Sequence, residues 1–217
     1  WQGMVAAMAL LGVFCGGFLG GWLTDKLGRQ MLFYASPAVI FLCSVAMYWI
    51  DSGVSLSLLR LISGLAVGIE YTAAGSLLTE FIPQKSRGSR LSLLTVLWFV
   101  GAALAYIVGN ALLNDGAGDA WRNVMASPAI IAGLLFLFRL GTPESPRWLL
   151  SKERRQEAEK IIKEVYGADF SLKNVAEDNS SAKAMTFGQA LRAGYGKRIF
   201  FVVMFWACAV IPVFAVY

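Results

Sequence analysis

The chain lacks histidine altogether, and it contains only three cysteines among its 217 residues. Histidine is the commonest metal ligand and titrates near neutral pH, so any proton chemistry in this chain has to use carboxylates. Cys15, Cys43 and Cys208 are too scattered to predict a metal site or a disulfide framework, and each lies in an apolar stretch. The sequence also offers no paired catalytic carboxylates and no nucleotide-binding loop. We therefore expect no metal, no cofactor and no enzymatic activity.

Charged side chains are scarce as well, at 15% of the residues against 57% hydrophobic ones. A soluble domain normally carries about 25% charged residues. The apolar residues form runs close to the ~20 residues that cross a bilayer as a helix. Nearly all charges lie between the runs, whereas a soluble helix would carry them along one face. The sequence predicts an all-α polytopic membrane protein with spans at Gly3–Leu23, Met31–Ile50, Leu56–Phe81, Leu91–Leu113 and Val124–Leu140, and a sixth run at Arg198–Tyr217.

The loops between the spans alternate in charge, and this alternation predicts the orientation of the chain. Sixteen of the 19 basic residues lie in 24–30, 83–90 and 143–198. The opposite loops, around Asp51 and at 114–119, are short and acidic. Because cytoplasmic loops collect lysine and arginine, we expect the basic loops on the cytoplasmic side. The net charge of +5 then reflects membrane topology and not nucleic-acid binding.

We expect three regions along the chain. Residues 1–142 hold the five spans, 143–197 form a cytoplasmic loop with short amphipathic helices, and 198–217 begin the next span. Within the loop, Ala168–Ala184 is polar and predicted to be irregular, and Thr186 is a candidate cap for a last short helix.

Two short helices are predicted at the start of this loop. Ser145 followed by Pro146 indicates the first helix, because proline tolerates the first helical position. Ser151 and Gly167 are expected to bound the second. The second helix has an apolar stripe at helical spacing, which predicts packing on the membrane surface or on the span ends; its members are Ala158, Ile161, Ile162 and Val165.

Glycines recur every four residues in two of the predicted spans. They are Gly12, Gly16 and Gly20 in the first span, and Gly64 and Gly68 in the third. Small residues at this spacing let helix backbones approach closely in lipid. The pattern suits static packing, and it suits equally a close contact between helices that slide.

Two charged residues lie inside the third predicted span. Arg60 is near its outer end and Glu70 near its middle. A charge at a helix centre costs roughly 2.5–3.5 kcal/mol on insertion, so each needs a partner or a water-filled cavity. Ten residues correspond to about 280° of rotation and ~15 Å of rise, so the two are not expected to pair with each other. They either lock this helix to other helices or form a substrate- or proton-handling site. Arg139, at the inner end of the fifth span, is expected instead to extend its side chain to the membrane interface.

Three charged junctions lie on the predicted cytoplasmic side, at Gly21–Gln30, Glu80–Gly88 and Pro143–Leu149, and Arg60–Gly68 precedes the second of them. In order and spacing they resemble signature segments of the major facilitator superfamily, and within it the sugar porters and the related metabolite–proton symporters. The similar segments there are the loop after the second helix, the fourth helix with its following loop, and the loop after the sixth helix. One departure is Gln30, which replaces a basic residue of the first signature.

The resemblance implies a fragment that runs from the second helix into the seventh, so the fold expected is the N-terminal half of a major facilitator protein, with inverted three-helix repeats, truncated at both ends. It implies a latch at the cytoplasmic side made of Asp25, Arg29, Glu80, Arg87, Glu144 and Arg147. It implies helix-packing roles for Gly21, Gly28, Gly64 and Gly68. Arg60 resembles the fourth-helix arginine that, in proton-coupled relatives, partners an acid of the first helix.

Two departures from the sugar-porter pattern bear on the substrate. Where sugar porters usually have a glutamine in the fifth helix, Leu94–Gly101 contains Trp98 and no amide. Their paired glutamines of the seventh helix have no equivalent in Phe205–Pro212. A polyol needs many matched donors and acceptors to replace its lost water. An apolar and aromatic lining with Arg60 suits an aromatic or aliphatic carboxylate better.

We therefore expect a secondary transporter that moves a small carboxylate by alternating access in symport with protons, with Arg60, Glu70 and Trp98 handling substrate and proton. The alternative is a sugar facilitator or sugar–proton symporter. A third is a non-transporting membrane sensor, which would not need to keep charged junctions in every loop. The expected partners are the solute, protons, lipid and the absent C-terminal half, and the expected location is the plasma membrane, in bacteria the inner membrane.

Overall fold

The computed structural model describes residues 2–114, 119–167 and 187–216. Every regular element within these ranges is helical, so the all-α class predicted from the sequence is confirmed. The helices are α1 Gln2–Leu27, α2 Arg29–Tyr48, α3 Gly53–Phe81, α4 Arg87–Leu113, α5 Ala120–Ala126, α6 Pro128–Arg139, α7 Pro146–Ser151, α8 Arg155–Tyr166, α9 Phe187–Ala190 and α10 Gly196–Val216. They fall into two compact units, Trp1–Leu172 and Lys173–Tyr217.

The first unit contains the five predicted spans. In the described residues, five helical segments are long and apolar enough to cross a bilayer, namely Gly3–Leu27, Arg29–Tyr48, Gly53–Phe81, Arg87–Leu113 and Ala120–Arg139. The last of these is divided at Ser127, because Pro128 occupies the first position of α6, where its missing N–H costs no helical hydrogen bond. That division was not predicted.

The second unit, taken by itself, contains α9, a single π-helical turn at Leu191–Tyr195, and α10. Gly194 in this turn has φ +87°, a conformation that glycine adopts without strain. The sixth apolar run of the sequence forms α10. The predictions for Ala168–Ala184 and for Thr186 lie outside the described residues.

Helices α1 and α3 pack with their backbones in direct contact. A Cβ placed on Gly64 would lie 2.2 Å from the carbonyl oxygen of Ala9, and one on Gly68 would lie 2.3 Å from that of Val13. From the other side, a Cβ on Gly12 would lie 2.3 Å from the Leu61 carbonyl oxygen. Only glycine permits these approaches, because the neighbouring atoms are backbone and cannot rotate away. The glycine spacing therefore marks the α1–α3 seam.

Helix α2 packs on α3, α5 and α6, whereas α4 contacts mainly α5 and has no fully buried residue in the described ranges. Many of its exposed side chains are large and apolar, and examples are Leu93, Phe99 and Ile107. An apolar face of this kind fits a lipid environment, where burial against protein is not required for stability.

The short helices α7 and α8 form a small apolar core of their own. The Ser145 hydroxyl accepts a hydrogen bond from the Trp148 N–H at 3.2 Å, so the predicted cap of α7 is confirmed. Trp148 and Leu149 are buried against Ala158 of α8. Ile161 and Ile162 pack on the same core, so most of the predicted apolar stripe faces α7.

The predicted start of α8 is wrong. Helix α7 continues through Ser151, whose hydroxyl donates to the Trp148 carbonyl at 2.7 Å. Arg154, and not Ser151, occupies the cap position of α8. Helix α8 begins only at Arg155. Its end was predicted correctly, because Gly167 follows it with φ +108°.

One hydrogen bond joins α8 to the end of α3. The Tyr166 hydroxyl donates to the Phe81 carbonyl at 2.6 Å. Partial burial at this contact raises the pKa of Tyr166 above its ordinary value. The bond satisfies one of the carbonyls that the last turn of α3 leaves without a helical partner.

Candidate substrate pathway and cytoplasmic cluster

Arg29 is the centre of a charge cluster where α1, α2 and α3 reach the predicted cytoplasmic side. Its guanidinium lies 3.3 Å from Asp25 and 3.4 Å from Glu80, and it donates to the Thr24 carbonyl at 3.1 Å. Arg29 and Glu80 are 14% and 10% exposed, whereas Asp25 is 62% exposed. The Arg29–Glu80 contact is therefore the stronger tie, because solvent screens the pair with Asp25.

Glu144 binds the start of α2 from a position more than a hundred residues downstream. One carboxylate oxygen accepts from the Arg29 N–H at 3.0 Å and the Gln30 N–H at 3.1 Å. These two N–H groups have no helical partner, and the positive end of the α2 dipole favours a carboxylate there. Gly28 has φ +100°, and a Cβ on it would lie 2.2 Å from the other Glu144 oxygen. The backbone conformation therefore favours glycine at 28, and a side chain there would also displace the Glu144 carboxylate from the start of α2.

Further hydrogen bonds tie the same two junctions together. The Trp148 indole N–H donates to the Asp25 carbonyl at 3.1 Å. The Gln30 amide and the Tyr34 hydroxyl donate to the Thr142 carbonyl at 2.7 and 2.8 Å. Sequence reasoning missed Gln30 and Tyr34, and the only available signal was the departure of Gln30 from the family pattern.

The other two predicted members of the latch stand apart from this cluster. The Arg87 guanidinium donates to the Ile82 carbonyl at 3.3 Å, and its Nε is buried with no hydrogen-bond partner in the described part of the chain. Arg147 is exposed and makes no polar contact with the residues that the structure describes. Their role in the latch stays a prediction.

Of the four glycines predicted to serve helix packing, Gly28, Gly64 and Gly68 lie in close contacts. Gly21 faces open space, with no atom within 4 Å of a Cβ built on it in the described residues. A packing role for Gly21 stays a prediction.

Glu70 of α3 pairs with Arg139 of α6. The Arg139 Nη2 lies 2.5 Å from Glu70 Oε1, and both side chains are largely buried. Arg139 was expected to extend to the membrane interface, and that expectation is wrong. Phe33 of α2 holds the guanidinium inward, because its carbonyl accepts from Arg139 at 3.0 Å and its ring lies 3.9 Å from the cation.

Arg60 faces a different helix and has no acidic partner among the described residues. Its Nη2 lies 2.8 Å from the Met125 sulfur of α5, and its Nε is buried without a partner. A thioether is a weak acceptor that leaves the positive charge uncompensated. Arg60 and Glu70 therefore do not meet, as their helical offset predicts.

Trp98 of α4 is linked to Tyr71 of α3. The Trp98 indole N–H donates to the Tyr71 hydroxyl at 3.0 Å, and both residues are substantially exposed. Tyr71 directly follows Glu70, so it lies on a different face of α3 from that acid. No sequence pattern other than this position pointed to Tyr71.

Arg122 binds the C-terminal end of α2. Arg122 donates to the carbonyls of Tyr48 and Ile50 at 2.8 and 3.1 Å, where α2 ends. It also pairs with Asp51 and, at 3.3 Å, with Asp119. A cation at these free carbonyls complements the α2 dipole in the same way that Glu144 does at the start.

An open cavity of about 690 Å³ lies beside the cytoplasmic cluster and is lined by residues that include Gln30, Glu144, Trp148 and Lys160. It borders α8 and not Arg60 or Glu70, so it is not the candidate for substrate binding. The described residues contain no group of three or more side chains suited to hold a metal ion.

Comparison with known proteins identifies the family. The sequence profile described as "Sugar (and other) transporter" matches residues 1–211. The inner membrane metabolite transport protein YgcS of Escherichia coli K12 is 36% identical over 99% of this chain and 47% of its own length. YaaU of the same strain, also named as a metabolite transport protein, is 35% identical over 100% of this chain and 47% of its own length.

A solved structure agrees with the sequence comparison. The proton:xylose symporter XylE bound to 6-bromo-6-deoxy-D-glucose superposes with a TM-score of 0.77 at 26% identity, over 88% of this chain and 46% of that chain. This chain thus spans about half the length of the curated relatives it matches. It is an integral, multi-pass membrane protein, and it belongs to the sugar (and other) transporter family of the major facilitator superfamily.

Proposed function

We propose that the intact protein is a secondary transporter that moves a small organic solute by alternating access, and that this chain supplies its N-terminal half. Family membership supports the proposal, since the relatives are named as transporters. The cytoplasmic cluster supports it as well. Ion pairs at an interface are weak enough to break in each cycle, yet strong enough to bias a two-state equilibrium.

The latch in this proposal comprises Asp25, Arg29, Glu80 and Glu144, which the structure brings together, with Arg87 and Arg147 directed to the absent half. Arg147 is exposed and has no polar partner among the described residues, which fits that assignment, because its partner would belong to the other half. Glu144 has a different role in the latch, because both of its carboxylate oxygens already accept hydrogen bonds at the start of α2.

The substrate is a small carboxylate in our proposal, and the uncompensated charge of Arg60 carries this point. A guanidinium inside a span needs an anion or water, and Met125 supplies neither. An anionic substrate would compensate the charge directly. The exposed surface with Trp98 and Tyr71, about 16 Å of helical rise along α3 from Arg60, offers aromatic faces and few polar groups.

Proton coupling is assigned to Glu70, together with an acid on the absent first helix. In this proposal, that acid and the substrate take turns as the partner of the Arg60 charge. Glu70 is the only carboxylate well inside a described span, and the chain has no histidine. A relative, the D-xylose-proton symporter of Escherichia coli K12, is 29% identical over 89% of this chain, and its name includes a proton.

A sugar is the second candidate substrate. The likeness to a xylose symporter structure with a bound hexose analogue favours it. Trp98 and Tyr71 could also support it, because an aromatic face packs on a sugar ring and both side chains carry hydrogen-bonding groups. The absence of amides in Leu94–Gly101 opposes it.

The location proposed is the plasma membrane, in bacteria the inner membrane, as the name of YgcS suggests. Lipid and the C-terminal half are the required partners. The chain by itself is not expected to transport, because half of the central cavity is missing.

Counterflow in proteoliposomes tests this function. The intact protein would be reconstituted into vesicles preloaded in parallel with hexoses, pentoses, nicotinate and a quinate-like acid, and exchange of the labelled compound would be followed. Exchange with carboxylates alone would support the Arg60 assignment. Exchange with sugars alone would overturn the proposal of a carboxylate substrate and would leave the proposal of a transporter standing. No exchange with any of these compounds would contradict both proposed substrates.

A further inference from the structure

The Glu70–Arg139 pair is incomplete on the side of the acid. Arg139 meets only Oε1 of Glu70, and Oε2 is buried without a hydrogen-bond partner in the described part of the chain. Glu70 and Arg139 are 20% and 15% exposed. A permanent arginine–carboxylate pair usually engages both oxygens, because two parallel hydrogen bonds fit the guanidinium fork. A buried carboxylate oxygen without a donor carries a desolvation cost that a proton would remove.

Arg139 is held from a second direction. The Phe33 carbonyl accepts from its Nη1 at 3.0 Å, and the Phe33 ring lies under the cation at 3.9 Å. Both contacts come from α2 and neither depends on Glu70. If Glu70 becomes neutral, Arg139 remains anchored on α2 while the tie between α3 and α6 weakens.

No other charge contacts this pair among the described residues. Helices α1 and α2 pack on α3, and their charged residues Asp25, Lys26 and Arg29 lie at the cytoplasmic end beside Glu80, which is ~15 Å of helical rise from Glu70. The remaining charged groups on elements that touch α3 are Arg60, the α4 residues Arg87 and Arg90, Arg122 of α5, and Arg155, Glu157, Glu159, Lys160, Lys163 and Glu164 of α8; the uncharged titratable ones are Cys15, Tyr34, Cys43, Tyr48, Tyr71, Tyr106 and Tyr166. Arg122 pairs with Asp51 and Asp119 where α2 ends, and α8 meets α3 at Phe81, the last residue of α3. Arg139 is therefore the charge that acts directly on Glu70.

We propose that Arg139 is the positioning residue of a proton site at Glu70, and that the opening of the Glu70–Arg139 tie between α3 and α6 is the step that the proton drives. This inference rests on the proposed proton coupling and deepens it. A proton from water binds Oε2, and the carboxylate becomes a neutral carboxylic acid. The ion pair loses its attraction, and release of the proton to water restores it. Arg139 stays charged throughout.

The competing account is a permanent, purely structural ion pair that only links α6 to α3, which we call a strut. A strut would keep its charge across the working pH range, and replacement of either residue would lower stability without changing any pH profile. The proposed switch changes charge state with pH. The two accounts therefore differ in a spectroscopic readout and not only in stability.

Infrared difference spectroscopy between acidic and alkaline pH, on the intact protein in proteoliposomes without substrate, tests the site. At acidic pH the spectrum of the wild type should contain a carboxyl C=O contribution that the spectrum of Glu70→Gln lacks, because the other carboxyls are common to both proteins. In Arg139→Gln the band should persist to a higher pH than in the wild type, because the opposite charge beside the acid is gone. Arg139→Lys should lie between, and Arg122→Gln should match the wild type.

Proton-driven uptake then tests the step. Arg139→Gln should shift the pH profile of uptake in the same direction as the infrared band, whereas Arg139→Lys should keep most of the wild-type profile. An infrared band that titrates alike in wild type and Arg139→Gln would overturn the proposal. A shifted band with an unchanged uptake profile would overturn the role of the pair as the driven step.

The failure of this inference is distinguishable from failure of the proposed function. The infrared measurement needs no substrate, so a wrong substrate leaves it intact. If Arg139→Gln does not fold, the exchanged pair Glu70→Arg with Arg139→Glu replaces it. Restored folding with a wild-type pH profile would show a strut, and restored folding with an altered profile would support the switch.

Discussion

Gly68→Ala is the substitution that the α1–α3 contact makes most informative. The added Cβ would lie 2.3 Å from the Val13 carbonyl oxygen, 2.7 Å from the Gly17 nitrogen and 2.8 Å from the Gly16 carbonyl carbon. All three are backbone atoms of α1, so no side-chain rotation relieves the clash. The helices must separate instead.

The size of the effect follows from the geometry. An ordinary contact begins at about 3.4 Å, so α1 and α3 would have to move apart by about 1 Å at this point. Forcing an extra methyl group into a packed interface typically costs about 1–3 kcal/mol. The same seam loses its contacts at Gly12 and Gly64 when it opens, so we expect the upper part of this range.

Gly75→Ala is the matched control, because Gly75 lies on the same helix and no atom of the described residues comes within 4 Å of a Cβ built on it. Thermal unfolding of the intact protein in detergent would be followed by size-exclusion chromatography with fluorescence detection. The apparent melting temperature of Gly68→Ala should fall clearly below that of Gly75→Ala. Equal melting temperatures for the two variants would refute the close packing of α1 on α3.

Three further substitutions test the cytoplasmic contacts of the intact protein. Glu144→Gln removes the charge from the start of α2 and should lower stability by about 0.5–2 kcal/mol in thermal unfolding; a loss no larger than that of the exposed control Glu153→Gln would contradict the capping role. Arg147→Ala should leave stability unchanged yet slow exchange in counterflow without loss of affinity, and a pure affinity loss would exclude it from the latch. Tyr166→Phe removes the bond to Phe81, worth about 1 kcal/mol, and should speed proteolysis of α8; wild-type cleavage would argue against this bond as the anchor of α8.

The helices could be predicted from sequence because lipid imposes a simple length requirement. Apolar runs near twenty residues have to become helices when no water can satisfy the backbone. The same reasoning did not locate the division at Pro128, because a proline inside an apolar run permits a kink, a break or a first-turn position. It also misplaced the start of α8, because Ser151 can bond forward as a cap or backward to the Trp148 carbonyl.

The charged contacts were only partly predictable. Helical offset showed that Arg60 and Glu70 face different neighbours, but it could not name Arg139, which is 69 positions after Glu70 in the sequence. The junction motifs placed Glu144 near Arg29, yet they did not show that Glu144 binds backbone N–H groups of α2 in preference to the guanidinium. Both contacts depend on the tertiary approach of α6 to α2, which no local pattern encodes.

The most direct test of the account concerns Arg60, since its uncompensated charge underlies the proposed substrate. Counterflow of nicotinate and of the quinate-like acid would be compared among wild type, Arg60→Lys and Arg60→Gln of the intact protein. The account predicts that Arg60→Lys exchanges carboxylates with weakened half-saturation and that Arg60→Gln does not exchange them. Carboxylate exchange by Arg60→Gln at the wild-type rate and half-saturation would contradict it.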